Sequence, residues 1–178
     1  MSQNPKSSSQ GNKEERKRKV LPFLCYFAGF LFLACAIGLA APLSVPRVLG
    51  YEVYDVVSGS MEPEIPMDSV CYVKPIVPEQ LAEGDVVAFF KGGTDVVVHR
   101  VVYNKTSLGE LVTKGDNNNV EDPDPVPYRA VIGRVEMHLP LVGGFMALYA
   151  TAVGKVYLLL TAACGVMFIM LGGRLAER

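Results

Sequence analysis

Three separated segments contain residues that could together activate a hydroxyl for attack on a carbonyl carbon. The first is Ser58-Gly-Ser-Met-Glu-Pro63, which directly follows an apolar stretch typical of a strand. Gly59 lets the backbone turn where a side chain would obstruct it, so Ser60 is expected at the exposed end of that strand. A serine hydroxyl is a poor nucleophile until a base takes its proton. By itself the segment is more typical of an ordinary turn.

Few side chains could serve as that base, since the chain has two histidines. His99 lies in Asp95–Val102, a β-branched run, and we expect it to be partly buried in a strand. Taken alone, a histidine in such a run is more often structural. His138 lies beside an apolar stretch and has no candidate catalytic residues around it.

Carboxylates that could orient an imidazole are concentrated in the polar loop of residues 113–124. A base histidine needs a carboxylate to hold its tautomer and stabilise the imidazolium, and Asp116 and Asp122 are the candidates. Alone, the loop is typical of a solvated turn or a calcium site, although its spacing does not match an EF-hand. The chain order Ser, His, Asp differs from that of chymotrypsin-like, subtilisin-like and α/β-hydrolase enzymes.

The distribution of charge is typical of a membrane protein. The 178 residues have a formal net charge of −1 and are 50% hydrophobic. Residues 1–19 hold six Lys/Arg against two Glu, whereas residues 47–155 hold nine Lys/Arg against fifteen Asp/Glu. The four cysteines offer no pair within the polar middle of the chain, and no Cys or His cluster indicates a metal. We therefore expect no cofactor, no metal and no nucleic-acid partner.

An uncharged run of residues 20–46 predicts a membrane anchor. About 24 of these residues as a helix would be roughly 36 Å long, enough for a hydrocarbon core of about 30 Å. A cleaved secretory signal is the alternative, but its apolar region is usually about 7–15 residues long, and Pro42 would hinder cleavage after Ala41. The basic residues 1–19, expected to be a disordered tail, should remain in the cytoplasm, with the residues after Arg47 outside.

A second apolar segment follows the polar middle of the chain. Residues 139–155 are interrupted by Pro140 and Gly143-Gly144, which predicts a membrane-proximal strand or loop leading into a helix. Residues 156–173 are uncharged and just long enough for a second span, with residues 174–178 as a cytoplasmic tail. A single span followed by a hydrophobic hairpin is the alternative.

Residues 47–138 predict an extracytoplasmic domain. Runs of β-branched and aromatic residues alternate with turn residues, and no strong 3.6-residue periodicity is evident. The predicted strands are Val53–Val57, Ser69–Val73, Asp85–Phe90, Val96–Val102, Leu111–Lys114 and Ala130–Val135. The predicted fold class is therefore mostly β, an antiparallel domain with an N-terminal and a C-terminal transmembrane helix.

Five sequence blocks in this order resemble type I signal peptidases, in the branch found in the endoplasmic reticulum, in archaea and in some bacteria. The blocks are Ser58-Gly-Ser-Met-Glu-Pro63, Gly84-Asp-Val-Val87, His99-Arg-Val-Val102, Thr113-Lys-Gly-Asp-Asn-Asn118 and Ile132-Gly-Arg-Val135. The resemblance covers residues 20–145. It implies a signal-peptidase-like antiparallel β domain lying against a membrane, with serine endopeptidase activity that removes signal peptides.

The resemblance also implies a role for each matching residue in the serine and histidine blocks. Ser60 matches the nucleophile, and His99 matches the general base, for which the common bacterial branch uses a lysine. Ser58 matches the hydroxyl that forms an oxyanion hole together with the backbone N–H of Ser60. Lys74 and Lys114 do not lie where that lysine would stand, so a Ser–Lys pair is not expected.

The two aspartates of the polar loop match two acidic positions of this branch. Asp122 matches the residue that orients the histidine, and Asp116 matches a second acidic position that the branch needs. This chain differs from the family pattern at Glu121, directly before Asp122, and at the additional Asp124. Which of the two aspartates faces the imidazole therefore stays open.

A substrate peptide is expected to bind in an extended form, by adding a strand to exposed backbone. The peptide is expected along the Asp55–Ser58 edge and the Glu83–Ala88 segment. The residues assigned to substrate binding are Asp55, Val56, Val57, Val86 and Val87. The resemblance implies preproteins with small residues one and three positions before the cut, and a multi-pass membrane protein whose active site is extracytoplasmic, or lumenal in the endoplasmic reticulum. The lipid bilayer and accessory or translocon subunits are the further partners.

Three other functions fit parts of the sequence. A membrane-anchored β module that binds exported peptides without cutting them would keep the anchors and the strands. A self-cleaving regulator of the Ser–Lys type would need a DNA-binding helical domain, for which the first 50 residues leave no room. A calcium-binding surface protein would use the loop of residues 116–124.

Overall fold

The computed structural model describes the backbone of residues 6–177 and the side chains of residues 20–42 and 44–177. The chain divides into two compact units, Met1–Ala41 with Thr151–Arg178, and Pro42–Ala150. Helix α1, Lys6–Val48, begins inside the segment expected to be a disordered tail. Lys, Glu and Arg are good helix formers, so the basic segment can continue the adjacent helix. The first five residues of the expected tail lie outside the described part.

Two helices make up the first unit, and both are long and apolar enough to cross a membrane. The candidate spans are Val20–Pro42 within α1 and Ala152–Ala176, which is helix α3. Helix α3 is longer than the expected span of residues 156–173, because it continues past Lys155 and Arg174. Hydropathy detects the uncharged stretch, whereas backbone hydrogen bonding determines where the helix ends.

Helices α1 and α3 approach each other closely at small residues. A Cβ built on Gly29 would lie 2.6 Å from Ile169 Cγ1, and one built on Gly165 would lie 3.0 Å from the carbonyl oxygen of Gly29. Phe32 and Phe168 stack with ring centroids 5.8 Å apart. Close backbone approach at glycine is the usual way in which membrane helices pack.

Seven strands form the second unit. They are β1 (Glu52–Asp55), β2 (Val70–Lys74), β3 (Val86–Lys91), β4 (Asp95–Lys105), β5 (Glu110–Lys114), β6 (Val126–Pro127) and β7 (Val131–Leu139). All pairings are antiparallel and join into one sheet in the order β1-β2-β7-β3-β4-β5-β6. The predicted fold class, an antiparallel β domain with an apolar helix on each side in the sequence, is confirmed.

The six strands expected from the sequence are present with shifted ends, and β6 was not predicted. β6 is two residues long and includes Pro127, which has no N–H to offer a neighbouring strand. Such a strand has no sequence pattern of its own and exists because β5 lies beside it.

Strand β3 lies in the middle of the sheet and is buried on both faces. Val87 and Phe89 belong to the core cluster on one face, whereas Ala88 packs into a second cluster with Met61. This follows from the alternation of side chains along a strand. The second cluster matters for the site, because Met61 directly follows Ser60 and anchors its turn to the sheet.

A short helix, α2 (Gly143–Ala150), packs against one end of the sheet. Met146 packs with the buried side chains of Val70 and Tyr72. The N–H of Gly143 donates to the carbonyl of Asp68 at 2.7 Å. The segment expected as a membrane-proximal strand or loop thus contains the end of β7 and this helix, which also exposes apolar side chains such as Phe145.

Candidate active site

Ser60 lies in a turn that begins just beyond the end of β1. The turn is held on one side by Val56, which donates to the carbonyl of Ser69 and accepts from the N–H of Asp68. It is held on the other side by Met61 and Ile65, which are 1% and 2% exposed and linked by a backbone hydrogen bond of 2.9 Å. The Ser60 side chain therefore sits on an anchored turn at the edge of the core.

His99 extends from β4 toward this turn. It is opposite Val87 of β3 in the sheet register and is buried, with 6% of its surface exposed. Its Nε2 lies 3.2 Å from Ser60 Oγ, within hydrogen-bonding distance. The rings of His99 and Phe89 form a T-shaped pair with centroids 6.3 Å apart. Residues 39 positions apart in the sequence are thus brought into contact by the sheet.

Asp122 completes this arrangement on the far side of the imidazole. Its Oδ2 lies 2.6 Å from His99 Nδ1, and the two side chains are 11% and 8% exposed. The same oxygen accepts a hydrogen bond of 2.6 Å from the hydroxyl of Thr113, a residue that is fully buried. The N–H of Asp122 also donates to the Thr113 carbonyl at 2.8 Å. One carboxylate oxygen is therefore held between an imidazole and a hydroxyl.

Asp116 lies elsewhere and contacts a cation. Arg100 Nε donates to Asp116 Oδ1 at 2.8 Å, and Arg100 Nη2 donates to Asp116 Oδ2 at 2.6 Å. The third nitrogen of this guanidinium donates to the carbonyl of Gly84 at 2.7 Å. The hydrogen bonds to Asp116 raise the pKa of Arg100 above its already high ordinary value. In the structure Asp122 faces the imidazole, and Asp116 fastens the polar loop to β4.

The Ser58 side chain lies on the same side of the turn as the Ser60 hydroxyl, with the two Oγ atoms 3.4 Å apart. The backbone around them accepts two hydrogen bonds from the polar loop. The N–H of Asn117 donates to the carbonyl of Ser60 at 2.9 Å, and its Nδ2 donates to the carbonyl of Gly59 at 3.2 Å. The hydroxyls of Ser58 and Ser60 are therefore close together on a turn that the polar loop supports.

A cleft of about 410 Å³ opens beside Ser60. One wall is the segment from Tyr54 to Ser58, and the other runs from Thr94, directly before β4, to Val98 within it. Strand β5 pairs with β4 only from Arg100 onward, so within the described sheet one edge of the Asp95–Val98 segment has no strand neighbour. Strand β1 lies at the edge of the sheet. The cleft therefore lies between two strand segments that each have an open edge.

Two residues assigned to substrate binding do not line this cleft. Val87 is completely buried, and its strand pairs with β4 on one side and β7 on the other. Val86 lies on the same strand, opposite Arg100, and packs against the core. Within the expected Glu83–Ala88 segment, Val87 and Ala88 are therefore paired on both sides and cannot add a substrate strand. The sequence does not show this, because an apolar run flanked by turns looks alike in an edge strand and in a central one. Asp55, Val56 and Val57 do line the cleft.

The two lysines considered as alternative bases lie on other strands than His99. Lys74 lies on β2 with its Nζ 5.8 Å from the centroid of the Tyr51 ring. Lys114 ends β5, opposite Arg100. Among the described residues, no cluster of three or more His, Cys, Asp or Glu could hold a metal ion.

Three residues at the site were not identified from the sequence. Thr113 and Asn117 lie on either side of Asp116 in the same sequence block, but nothing in the chain order predicts which backbone or carboxylate they contact. Arg100 follows His99, so strand alternation directs its side chain to the other face. From that alternation one could have predicted that His99 and Arg100 contact different side chains.

Comparison with known proteins finds signal peptidases among the relatives of this chain. Signal peptidase I W of Bacillus subtilis (strain 168) is 42% identical over 85 residues, which cover 46% of this chain and 44% of that protein. The signal peptidase complex catalytic subunit SEC11 of Metarhizium acridum is 32% identical over 124 residues, covering 64% of this chain and 72% of that protein. Human SEC11C is 32% identical over 99 residues, or 49% and 52% of the two chains.

The extent of these matches differs among the relatives. The chain spans less than half the length of the Bacillus relative but nearly three quarters of the Metarhizium subunit. No family model matches the chain.

Proposed function

Since the chain belongs to the type I signal peptidases, we propose that it removes signal peptides from exported preproteins with Ser60 as the nucleophile and His99 as the general base. The observation that carries this proposal is the line of contacts from Ser60 Oγ through both nitrogens of His99 to Asp122. A nucleophile, a base and a group that orients the base are the parts that serine acyl transfer requires.

In the proposed mechanism the Ser60 hydroxyl donates its proton to His99 Nε2 as the oxygen attacks the carbonyl carbon of the scissile bond. Asp122 accepts from His99 Nδ1, holds the tautomer that leaves Nε2 free, and stabilises the imidazolium. Thr113 keeps the accepting oxygen in place, because it donates to the same Oδ2. The imidazolium then protonates the leaving amine, and water, activated by the same imidazole, releases the acyl group from Ser60.

The oxyanion of the tetrahedral intermediate needs donors close to Ser60. We assign this role to the backbone N–H of Ser60 and the hydroxyl of Ser58, whose Oγ lies 3.4 Å from Ser60 Oγ. Removal of one such donor typically lowers kcat by about 10²–10³-fold. Ser58→Ala should therefore lower kcat while leaving the cleavage position unchanged.

The substrate is proposed to lie extended in the cleft, as a strand inserted between Asp55–Ser58 and Asp95–Val98. Both walls have an open edge, which supports main-chain hydrogen bonding to an added strand. The buried Val56 and the half-buried Val96 and Val98 line the cleft, and we propose that short side chains of the substrate bind against them. This favours small residues one and three positions before the cut, where alternate side chains of a bound strand point to the same wall.

We further propose that both candidate spans cross the membrane, with the basic residues 13–19 and Arg174 on the cytoplasmic side. The β domain, which lies between the two spans in the sequence, would then be extracytoplasmic, or lumenal in an endoplasmic reticulum. The test replaces the four native cysteines by alanine, introduces one cysteine at Ser107 or at Glu177, and labels it with a membrane-impermeant maleimide. Labelling of intact cells or right-side-out vesicles at Ser107 alone supports the two-span topology, and labelling at both sites contradicts it.

The decisive experiment for the activity uses the full chain in detergent and a preprotein with small residues before its cleavage site. Wild type should cut it, and Ser60→Ala and His99→Ala should lose more than about 10³-fold in kcat/KM. Ser107→Ala and His138→Ala are matched controls on the same domain. Cleavage that survives Ser60→Ala would refute the assignment of the nucleophile, and a purified wild type that binds the preprotein without cutting it would favour the peptide-binding module. Cleavage by the purified chain alone would also show that accessory subunits are not required.

A further inference from the structure

Asn117 is hydrogen-bonded to the peptide groups on both sides of the Ser60 Cα atom. Its side-chain Nδ2 donates to the carbonyl of Gly59 at 3.2 Å, and this carbonyl belongs to the peptide group that contains the N–H of Ser60. Its own N–H donates to the carbonyl of Ser60 at 2.9 Å, which belongs to the next peptide group. One residue from a distant loop thus holds two consecutive peptide planes.

Because the peptide bond is planar, these two hydrogen bonds also fix the direction in which the Ser60 N–H points. A trans peptide is planar, with its C=O and N–H pointing in opposite directions. Holding the Gly59 carbonyl toward Asn117 therefore aims the Ser60 N–H away from the polar loop. A donor on the carbonyl also polarises the peptide group and strengthens its N–H as a donor.

The loop that supplies Asn117 is itself fixed in place. A Cβ on the buried Gly115 would lie 2.6 Å from the Ser60 carbonyl oxygen, so the loop backbone is in tight contact with the turn that contains Ser60. The next residue, Asp116, is tied to β4 by its two-pronged contact with Arg100. The loop contacts on the residues just before Asn117 therefore hold its backbone in place.

We propose that Asn117 is a positioning residue that orients the Ser60 N–H toward the oxyanion of the tetrahedral intermediate. The inference rests on the proposed function, because it needs Ser60 to attack a carbonyl. In this role Asn117 touches neither the substrate nor the reacting atoms and acts through the Gly59–Ser60 peptide group.

The test compares Asn117→Ala and Asn117→Asp with wild type in the full detergent-solubilised chain. The alanine variant removes the donor, and the aspartate variant keeps the size but faces the Gly59 carbonyl with an oxygen that has no hydrogen to donate. Asn119→Ala, an exposed position in the same loop, is the matched control. Each variant is measured for kcat, KM and thermal unfolding, and for binding of a substrate-derived peptide that ends in a boronic acid or in a simple amide.

The boronic acid separates an effect on the oxyanion from a general structural effect. Its boron accepts the Ser60 oxygen and becomes a tetrahedral anion, whereas the amide peptide binds the cleft without forming that anion. We expect kcat to fall about 10-fold for Asn117→Ala and about 100-fold for Asn117→Asp, with KM within about twofold. The affinity for the boronic acid should fall by the same factors, and the affinity for the amide should stay the same.

Two results would overturn the inference while leaving the proposed function intact. One is an active wild type with an Asn117→Ala variant as active as Asn119→Ala. The other is equal weakening of the boronic acid and the amide peptide, which would assign Asn117 to the structure of the cleft. An inactive wild type that the boronic acid does not bind would instead refute the proposed function, and this inference with it.

Discussion

Replacing Asp122 by asparagine removes one negative charge from the back of the His99 ring and changes little else. An amide oxygen in the place of Oδ2 can still accept from His99 Nδ1 and from Thr113, both at 2.6 Å in the structure. The loss is therefore mainly that of charge stabilisation in the transition state, where the imidazole carries the proton from Ser60. His99 and Asp122 are 8% and 11% exposed, so water screens the pair little.

The size of the effect follows from the distance and the burial of the pair. Two unit charges about 4 Å apart attract each other by about 4 kcal/mol at an effective dielectric constant of about 20. Each 1.36 kcal/mol of barrier corresponds to about tenfold in rate, so Asp122→Asn should lower kcat by about 10³-fold. KM should change little, because the charge contributes mainly after the proton has moved.

Asp116→Asn should give the opposite pattern of effects. Its carboxylate pairs with Arg100, with side chains 18% and 33% exposed, whereas the carboxylate that contacts His99 is that of Asp122. An asparagine can accept only one of the two guanidinium hydrogen bonds, which costs about 1–2 kcal/mol at a partly exposed site. For a chain of this size the thermal midpoint should fall by about 2–8 °C, and kcat should fall less than about tenfold.

The assay measures preprotein cleavage and thermal unfolding for both variants and for Asp124→Asn, an exposed carboxylate in the same loop. We expect Asp122→Asn to lose cleavage activity at an unchanged thermal midpoint. We expect Asp116→Asn to have a lower thermal midpoint and to keep most of its activity. If Asp116→Asn lost as much activity as Asp122→Asn at unchanged stability, the electrostatic reasoning would be wrong. It would be equally wrong if Asp122→Asn retained wild-type kcat.

Three further predictions concern packing and burial. Gly115→Ala should reduce activity by more than about 10-fold, since its Cβ would lie 2.6 Å from the Ser60 carbonyl oxygen; wild-type cleavage by this variant would contradict the tight contact. Gly165→Ala should lower the thermal midpoint of the detergent-solubilised chain, because the new Cβ meets helix α1 at 2.9–3.0 Å, whereas Gly38→Ala should be neutral because its Cβ meets nothing within 4 Å; equal midpoints would argue against this helix packing. Burial raises the pKa of Cys71 to about 11 from its ordinary 9.0. The unfolded chain therefore loses the thiol proton first, and wild type should lose more unfolding free energy than Cys71→Ala between about pH 9 and 11; parallel pH curves would refute this.

The family, the fold class and the chain positions of the nucleophile turn, the histidine strand and the acidic loop could all be predicted from the sequence. Apolar runs flanked by basic residues predicted the two candidate spans, because crossing a bilayer demands a minimum length of uncharged helix. β-branched runs separated by glycine and proline predicted six strands. The strands and spans depend on side chains that are close together in the chain, and the family follows from the order of five short blocks.

Distinguishing Asp116 from Asp122 required the tertiary structure. Both lie in one short loop, and both match an acidic position of the family. Strand alternation places His99 and Arg100 on opposite faces of β4, and the loop then brings one aspartate to each. A loop of this composition can bend in several ways, and only its packing against the Ser60 turn selects one.

The substrate cleft is the second feature that the sequence left open. Val86 and Val87 were expected to bind the substrate, but they lie on a central strand, and the open edge in the described sheet belongs to Asp95–Val98 of the neighbouring strand. By itself the sequence determined which residue types are available for chemistry and which segments form strands or helices, because both depend on local side-chain properties. The order of strands in the sheet, and with it the partner of each aspartate and the walls of the cleft, depends on contacts between residues far apart in the chain, and only the tertiary structure decided those.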